Sequence, residues 1–426
     1  MALGKAVIWN ALCAVGLLVV AWPDWTPQIN VTQVEVQSGM KAWACEPSIA
    51  ADPNSDHIVA GSVLARVHRR DTEGHWNHQT LTSPYGVYGD PILEYGPDGR
   101  VYYLHLSNPK GLPHAKGAWL DRIVIQWSDD HGATWSDGVG IGHNPPKDQD
   151  KEAIAIDMNT GVLHVAWTEF DVYGSKKAKH HSRIMYSRSA DRGETWSDPI
   201  ALSSKEGNCI DDDLTTEGAV PAVDKDGNVS VVWSYNDSLW VNHSPDGGLT
   251  WLDEEMLVAA HPGGWSQEIP GFGRANSMPV TAYSPQGELI VVYGEEDANG
   301  FSRIRYAKSQ DHGATWRNHE LKPPYSVGTV HHFMPWMDVD AQGHTHIVAY
   351  CQIDTATFAT ETWTTEITHT GDYEHFNLRP GKSFIPNSKV FFGDYSGISC
   401  ARENVTHIIW TEQHDSRNEL WHAEIR

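Results

Sequence analysis

Ionisable side chains recur along this chain at one kind of position, directly before short apolar runs. Apolar or alternating runs of this length are typical of β-strands, and they return roughly every 60 residues, which leaves room for about four short strands each. The polar residues at these openings are Glu46, Asp90, Asp150, Lys151, Glu152, Glu217, Arg274, Asn276, His331, His332, Asp394 and Tyr395. If the openings meet at one level of the fold, their carboxylates share a partly desolvated site, where shifted pKa values suit acid and base catalysis.

An acidic ring of this kind has two natural partners. One is a neutral or cationic glycan, with carboxylates such as Asp90, Glu217 and Asp394 acting as general acid and base. The other is a hard cation such as Ca²⁺, which prefers oxygen ligands. The acidic loop residues that would supply such ligands are Asp150, Asp211 and Asp213. Their spacing matches no EF-hand loop, so the metal stays an alternative.

Two aromatic features add further hypotheses. The adjacent His331 and His332 lie at one of the strand openings, where paired imidazoles with Tyr395 would suit the proton abstraction of a polysaccharide lyase. Trp265 offers a face on which a sugar ring can stack, although packing in the core is the competing fate of any tryptophan. The residues predicted to bind substrate are Arg274, Asp150, Lys151, Glu152, Glu46, His331, His332 and Trp265.

The pattern Ser-x-Asp-x-Gly-x-Thr-Trp occurs four times. The copies are Ser128–Trp135, Ser189–Trp196, Ser244–Trp251 and Ser309–Trp316. Each copy predicts a hairpin turn. In that turn Asp accepts hydrogen bonds from backbone amides, Gly adopts a positive φ, and Trp packs on a neighbouring strand. These aspartates are therefore expected to be structural, at the end of the fold opposite the polar openings.

This eight-residue pattern is the Asp box, or BNR repeat, and the chain resembles the sialidase superfamily of β-propellers. The resemblance implies an all-β fold, a single propeller of four-stranded antiparallel blades with Asp-box hairpins. Seven openings favour seven blades, whereas sialidases have six, and six remains the alternative. The run Ile29–Val36 is expected to supply the missing outer strand of the last blade and close the ring, within one domain over residues 29–426.

The resemblance also implies roles for particular residues. Glu217 is similar to the glutamate that activates the tyrosine nucleophile of sialidases, Tyr395 to that nucleophile, and Arg274 to one arginine of the carboxylate-binding triad. The arginine-isoleucine-proline motif of the first sialidase blade is replaced by Cys45-Glu46-Pro47-Ser48. An acid stands where the family keeps an arginine, which argues against genuine sialidase activity.

Composition narrows the partners and the compartment. The formal net charge of −24 argues against nucleic acid, because phosphate binding needs a basic surface. Residues 1–22 read as a signal peptide or membrane anchor, which predicts a secreted or extracytoplasmic protein that touches a membrane only if this segment is retained. The cysteines after this segment show no CxxC spacing, and any disulfide pairing stays open.

These observations favour a secreted carbohydrate-active hydrolase, a glycosidase of sialidase-like architecture that acts on a glycan in the central funnel. Glu217 and Tyr395 are the predicted centre, with Asp90 and Asp394 beside them. Two alternatives stay open: a non-catalytic propeller that binds a glycan or a protein, and a polysaccharide lyase that uses histidine and tyrosine.

Overall fold

The computed structural model describes residues 27–36, 44–113, 116–325, 330–402 and 405–426. These residues form 28 β-strands and no α-helix. The strands make seven sheets of four strands, and neighbouring strands pair antiparallel throughout. The chain is therefore an all-β, seven-bladed β-propeller, as favoured above, and the six-bladed alternative is wrong.

The first three blades are consecutive along the chain, each running from its inner to its outer strand. Blade 1 contains β2 Ser48–Ala51, β3 Ile58–Ser62, β4 Arg66–Arg70 and β5 Trp76–Thr80. Blade 2 contains β6 Ile92–Tyr95, β7 Val101–Leu106, β8 Ile123–Ser128 and β9 Val139–Ile141. Blade 3 contains β10 Asp148–Ile156, β11 Leu163–Phe170, β12 Ser182–Ser189 and β13 Ile200–Ala201.

The next three blades repeat this order. Blade 4 contains β14 Glu217–Val223, β15 Val229–Ser234, β16 Ser238–Ser244 and β17 Met256–Ala260. Blade 5 contains β18 Val280–Tyr283, β19 Leu289–Glu296, β20 Ser302–Ser309 and β21 Arg317–Leu321. Blade 6 contains β22 His331–Val339, β23 Thr345–Asp354, β24 Ala359–Ile367 and β25 Tyr373–Asn377.

Blade 7 closes the ring with strands from both ends of the described chain. Its inner three strands are β26 Gly397–Arg402, β27 Val405–His414 and β28 Arg417–Ile425. The outer strand is β1 Ile29–Val36, which pairs antiparallel with β28 from Ile29 opposite Ile425 to Val36 opposite Glu419. The predicted closure is confirmed, and it covers the edge that β28 would otherwise expose.

The hydrophobic core lies between adjacent blades. Trp167 of blade 3 packs with Ile123 and Ile125 of blade 2, and Trp233 of blade 4 packs with Ile184 of blade 3. The second strands β11 and β15 are buried along their whole length because each blade is covered on both faces, which explains their apolar runs.

The four Ser-x-Asp-x-Gly-x-Thr-Trp repeats form the turns between third and fourth strands of blades 2 to 5. In the first, Asp130 Oδ1 accepts the Thr134 N–H at 2.8 Å and its Oδ2 accepts the Thr134 hydroxyl at 2.7 Å. Gly132 has a φ of +82°, and a Cβ there would lie 3.1 Å from Val59 of the previous blade. The repeat therefore satisfies its own aspartate locally and brings a glycine close to the neighbouring blade.

Four buried cysteines are unpaired, namely Cys45, Cys209, Cys351 and Cys400. The described part of the chain holds no helix that is long and apolar enough to cross a membrane. The predicted signal peptide or anchor, residues 1–22, lies outside the described residues.

Candidate functional site

The end of the propeller at which the inner strands begin, here called the mouth, has a recurrent backbone irregularity. Five of the inner strands have a residue with left-handed φ near their start. In two of them this residue lies two positions before the strand begins, and in three it lies two positions before strand pairing resumes after a bulge. These residues are Glu46, Asp90, Lys151, Gly218 and Met334. Left-handed φ is uncommon outside glycine, and a bulge re-aims the side chain it carries. Three of the five positions carry charged side chains, and those three meet at the mouth.

Lys151 lies in the mouth and joins blade 3 to the segments that lead into three other blades. Its Nζ is 2.5 Å from Asp394 Oδ2, 3.0 Å from Asp90 Oδ2 and 4.0 Å from Glu46 Oε1. The lysine side chain is only 7% exposed. Although burial opposes it, the negative charge of Asp394, then Asp90, holds the pKa of Lys151 well above its usual range. Lys151 is therefore a buried permanent cation that three acids surround.

Arg274, in the segment before blade 5, is the second cation of the mouth. Its guanidinium donates to Asp394 Oδ2 at 2.8 Å and to Asp211 Oδ2 at 3.1 Å. Asp394 thus accepts hydrogen bonds from both cations through one oxygen. Its side chain is 1% exposed, whereas the Arg274 side chain is 31% exposed. The arginine is the charged group of this network that is most open to a ligand.

Glu217 and Asp211 form the most asymmetric pair of acids in the mouth. Burial, and then the charge of Asp211, raise the pKa of Glu217 well above its usual range. Burial acts in the same direction on Asp211, but several favourable contacts, led by the charge of Arg274, together outweigh it and lower the pKa of that carboxyl. The Tyr173 hydroxyl also donates to Asp211 Oδ2 at 3.0 Å. A proton on Glu217 consequently faces an ionised neighbour.

The remaining acids of the mouth are also held toward their neutral forms. Burial, and then the charge of Asp90, raise the pKa values of Glu46 and Glu152 well above their usual range. The same two causes raise the pKa of Asp150 to about 7. Neither carboxyl oxygen of Glu152 has a hydrogen-bond partner among the described residues. The mouth therefore mixes neutral carboxylic acids with carboxylates fixed by Lys151 and Arg274.

Tyr395 and Trp265 form the floor beneath these charges. The Tyr395 hydroxyl donates to the Pro91 carbonyl at 3.2 Å, and its ring lies 5.4 Å from that of Trp336. Trp265 is 1% exposed and donates its indole N–H to Asp211 Oδ1 at 3.1 Å. Its ring lies under Gly218, where a Cβ would approach it to 2.7 Å. Trp265 thus supports the mouth from below, with no face open for a sugar.

The two histidines lie beside the mouth, between blades 5 and 6. His331 Nδ1 accepts the Ser302 backbone N–H at 3.2 Å, and both ring nitrogens of His332 lack hydrogen-bond partners among the described residues. Burial lowers the pKa of His331 to about 4 and that of His332 to about 3, so both are neutral near pH 7. Both rings pack with other aromatic rings, Phe301 and His375.

The candidate calcium ligands differ in their surroundings. Asp150 Oδ1 accepts the adjacent Lys151 backbone N–H at 2.9 Å, and Asp211 is engaged by Arg274. Asp213 accepts the Ser266 N–H at 3.1 Å. In the described chain these three acids form no group with ligating atoms within 4.8 Å of one another. Calcium binding here stays a prediction.

Sequence reasoning missed Tyr173 and undervalued Asp211. Tyr173 follows β11 in a loop that only the closed ring brings to the mouth, and burial and then the charge of Asp150 raise its pKa. Asp211 stands among three consecutive aspartates, and nothing in that run distinguishes the member that meets Arg274.

Below the floor, a central channel of about 240 Å³ is lined by the inner strands of all seven blades. Its acidic lining groups are Glu94 and Asp338. Glu94 is exposed to this channel, where desolvation by the surrounding strands, and then the charge of Asp338, raise its pKa to about 8. The apolar side chains of Ile92 and Trp336 line both this channel and a much smaller cavity beside Lys151.

Comparison with known proteins agrees with this architecture. No protein-family model and no curated protein sequence matches the chain. A protein of unknown function from Dyadobacter fermentans superposes with a TM-score of 0.54 at 12% identity, over 93% of this chain and 99% of that one. The NanB sialidase from Streptococcus pneumoniae, in complex with an ammonio-ethanesulfonate compound, superposes with a TM-score of 0.52 at 12% identity, over 82% and 70%. The chain therefore shares the fold of sialidase-like propellers, and at this identity the likeness reaches no further than the fold.

Proposed function

We propose that this propeller is a carbohydrate-active hydrolase that cleaves a glycosidic bond at the mouth. The observation that carries the proposal is that the mouth combines Glu217, whose pKa is raised, with carboxylates that pair with cations, namely Asp211 with Arg274 and Asp90 with Lys151. Environments that push the pKa values of nearby carboxyls apart are typical of acid and base catalysis. The fold shared with sialidase-like propellers supports a glycan as partner at the coarse level of architecture.

In this proposal Glu217 is the general acid. It gives its proton to the glycosidic oxygen as the bond from that oxygen to the anomeric carbon breaks. Asp90, fixed by Lys151 at 3.0 Å, takes a proton from the water that attacks the anomeric carbon. The proton balance is restored when Asp90 releases its proton and Glu217 regains one from solvent.

The other members of the ring orient these two groups. Asp394 fixes the positions of Lys151 and Arg274 through a single oxygen. The Arg274 side chain is 31% exposed, and its guanidinium has further N–H groups beyond those given to Asp211 and Asp394 that can donate to sugar hydroxyls. The mouth has two cations, Lys151 and Arg274, within a larger set of acids, so the preferred substrate is a neutral or cationic glycan rather than one bearing a carboxylate.

The test is a screen of the purified full chain against neutral and amino-bearing polysaccharides, with the release of reducing ends as the readout. Glu217→Gln and Asp90→Asn are each expected to lower kcat at least about 100-fold, the usual contribution of a general acid or base. Asp246→Asn, on an exposed turn at the opposite end, is the matched control and should leave kcat unchanged.

Tyr395→Phe separates this proposal from the tyrosine nucleophile implied by the sialidase resemblance. The Tyr395 hydroxyl donates a hydrogen bond to the Pro91 carbonyl. Because that contact holds it within the fold, we expect Tyr395→Phe to retain most of the activity. Loss of turnover in Tyr395→Phe, with a normal melting temperature, would instead identify a tyrosine nucleophile. Turnover that survives Glu217→Gln would overturn the role of Glu217.

A non-catalytic glycan-binding propeller is the second candidate. It is favoured by the pairing of Asp90, Asp394 and Asp211 with Lys151 and Arg274, which is also what a rigid recognition surface requires. Absence of turnover on every glycan, together with saturable binding that Arg274→Gln abolishes, would establish this reading. The histidine contacts described above add no support to the lyase alternative.

A further inference from the structure

A cluster of metal-ligating side chains lies at the opposite end of the propeller from the mouth, where blade 1 meets blade 2. Asp52 is in the turn between β2 and β3, and His57 directly precedes β3. His131 belongs to the first Ser-x-Asp-x-Gly-x-Thr-Trp turn, in blade 2. One ligating atom from each residue lies within 4.8 Å of the other two. Two imidazoles and a carboxylate thus meet from separate blades.

The spacing in this cluster is close to that of a tetrahedral metal centre. Asp52 Oδ2 is 3.4 Å from His131 Nδ1. Metal bonds of about 2.0–2.2 Å in a tetrahedron place neighbouring ligand atoms about 3.4 Å apart. The imidazole rings of His57 and His131 are stacked with centroids 3.8 Å apart and planes 4° from parallel. Because two parallel stacked rings cannot both hold one ion in their planes, one imidazole must turn out of the stack to bring all three ligands onto one ion.

The His131 side chain offers the cluster a ring nitrogen that could ligate a metal. Its Nδ1 is buried and has no hydrogen-bond partner among the described residues. The Asp52 carboxylate is oriented by the Asn54 backbone N–H at 2.8 Å and by the Ser55 hydroxyl at 2.6 Å. Such outer contacts fix a carboxylate in the orientation that a metal ligand needs.

Solvent reaches this cluster at both histidines, and the first opening lies beside His57. That histidine lines a polar cavity of about 410 Å³ between blades 7 and 1. The His131 side chain is 34% exposed, so solvent can supply the fourth ligand that a three-residue zinc site leaves open.

Blades 4 and 5 repeat this arrangement in a looser form. His312 occupies the same turn position as His131, but its Nδ1 is 3.8 Å from Asp224 Oδ2. The rings of His243 and His312 are 4.7 Å apart and inclined by 23°. Asn228 occupies both oxygens of Asp224, with its backbone N–H at 2.8 Å and its side-chain amide at 2.7 Å. The chain therefore contains its own matched control for the first cluster.

We propose that Asp52, His57 and His131 bind one Zn²⁺ ion that joins blade 1 to blade 2. Two neutral imidazoles and one carboxylate are a ligand set that Zn²⁺ accepts in tetrahedral geometry. Because binding requires both blades in place, the ion stabilises the closed ring by an amount that rises with the logarithm of the free Zn²⁺ concentration once this exceeds the Kd. This site is independent of the chemistry proposed at the mouth.

The test uses the purified full chain after removal of metals, titrated with Co²⁺ as a spectroscopic probe and then with Zn²⁺ in competition. We expect one equivalent of Co²⁺ to give the visible absorption of a tetrahedral site, and Zn²⁺ to abolish it. His131→Asn removes a ligand while keeping a residue that tolerates the left-handed φ of +54°. It should weaken Co²⁺ binding at least about tenfold, with His57→Gln doing the same.

Two control variants assign the site. His312→Asn makes the equivalent change in blade 5, where φ is +55°, and should leave the absorption unchanged. His75→Gln disrupts the exposed group of Asp71, Glu73 and His75 and should likewise have no effect. The proposal is overturned if the metal-free chain shows no tetrahedral Co²⁺ band. It is also overturned if His131→Asn keeps the band, or if His75→Gln alone removes it.

Discussion

Carboxylates at the two ends of the propeller have pKa values shifted in opposite directions. At the turn end, Asp246 accepts the Thr250 N–H and hydroxyl four residues away, and these donors lower its pKa to about 2. At the mouth, burial and the charge of Asp90 on another blade raise the pKa of Asp150 to about 7. One carboxylate is satisfied by its own turn, and the other depends on groups that only the closed ring brings near.

This difference separates a structural role from a chemical one. A carboxylate whose donors are four residues away is stable in its ionised form wherever its turn forms. Acids that are buried together share few donors, so one group keeps its proton while its neighbour remains charged. The mouth therefore contains groups that can give and take protons near neutral pH, whereas the aspartates of the turns stabilise the fold.

Removal of the central cation should give the largest effect. Lys151→Met leaves Asp394, Asp90 and Glu46 without their shared counter-ion in a buried site. Breaking a buried ion pair from one side costs about 3–5 kcal/mol. We expect the free energy of unfolding at pH 7 to fall by roughly this amount, measured by urea denaturation.

Lys225→Met is the control for that measurement. Lys225 pairs with Asp226 on an exposed turn and should change stability little, since exposed ion pairs contribute little. Equal losses in the two variants would contradict the distinction between the two ends.

The next effect in size is a dependence of stability on pH that originates in the mouth. The pKa of Asp150 is about 7 in the folded protein, against about 3.9 for an unperturbed aspartate. Its contribution to stability is fully present below about pH 4 and is lost as the pH rises through 7, because the folded state binds the proton more tightly. Asp150→Asn keeps the oxygen that accepts the Lys151 N–H and should reduce the fall in melting temperature between pH 5 and 8.

If the melting temperature depends on pH in the same way in wild type and in Asp150→Asn, a group other than Asp150 takes up the proton. Asp246→Asn serves as the comparison, because the lowered pKa of Asp246 puts its titration below this pH range. We expect that variant to keep the wild-type slope between pH 5 and 8.

The smallest effect is expected at the turns. Asp130→Ala removes the acceptor for the Thr134 N–H and hydroxyl and should lower the free energy of unfolding by about 1–2 kcal/mol. The exposed Asp198→Ala should stay within about 0.5 kcal/mol of wild type. A loss at Asp130 as large as that of Lys151→Met would show that the turns contribute more than their local hydrogen bonds.

Much of the architecture was accessible from local patterns. The four turn repeats and the apolar strand runs predicted an all-β propeller, and the seven strand openings predicted the seven blades that the structure has. The strand Ile29–Val36 was also placed correctly against β28. These features depend on hydrogen bonds and side-chain alternation within a few residues, which is why a single sequence contains them.

The candidate site was accessible only in part. The openings indicated Glu46, Asp90 and Lys151 as mouth residues, and the three side chains do approach one another. The roles of Glu217 and Tyr395 came from a resemblance, and they remain predictions. The indole of Trp265 lies beneath Gly218 because left-handed backbone there allows close approach, a contact that its position in the chain does not reveal.

By itself, the sequence determined the strand pattern, the number of blades, the hairpin turns and the acidic character of the openings, since all of these are encoded within short stretches of chain. Only the tertiary structure decided that Asp394 takes both Lys151 and Arg274, that Glu217 keeps its proton beside Asp211, and that two histidines meet an aspartate between blades. Those outcomes depend on distances between residues far apart in sequence, and on a desolvation that exists only when the ring is closed.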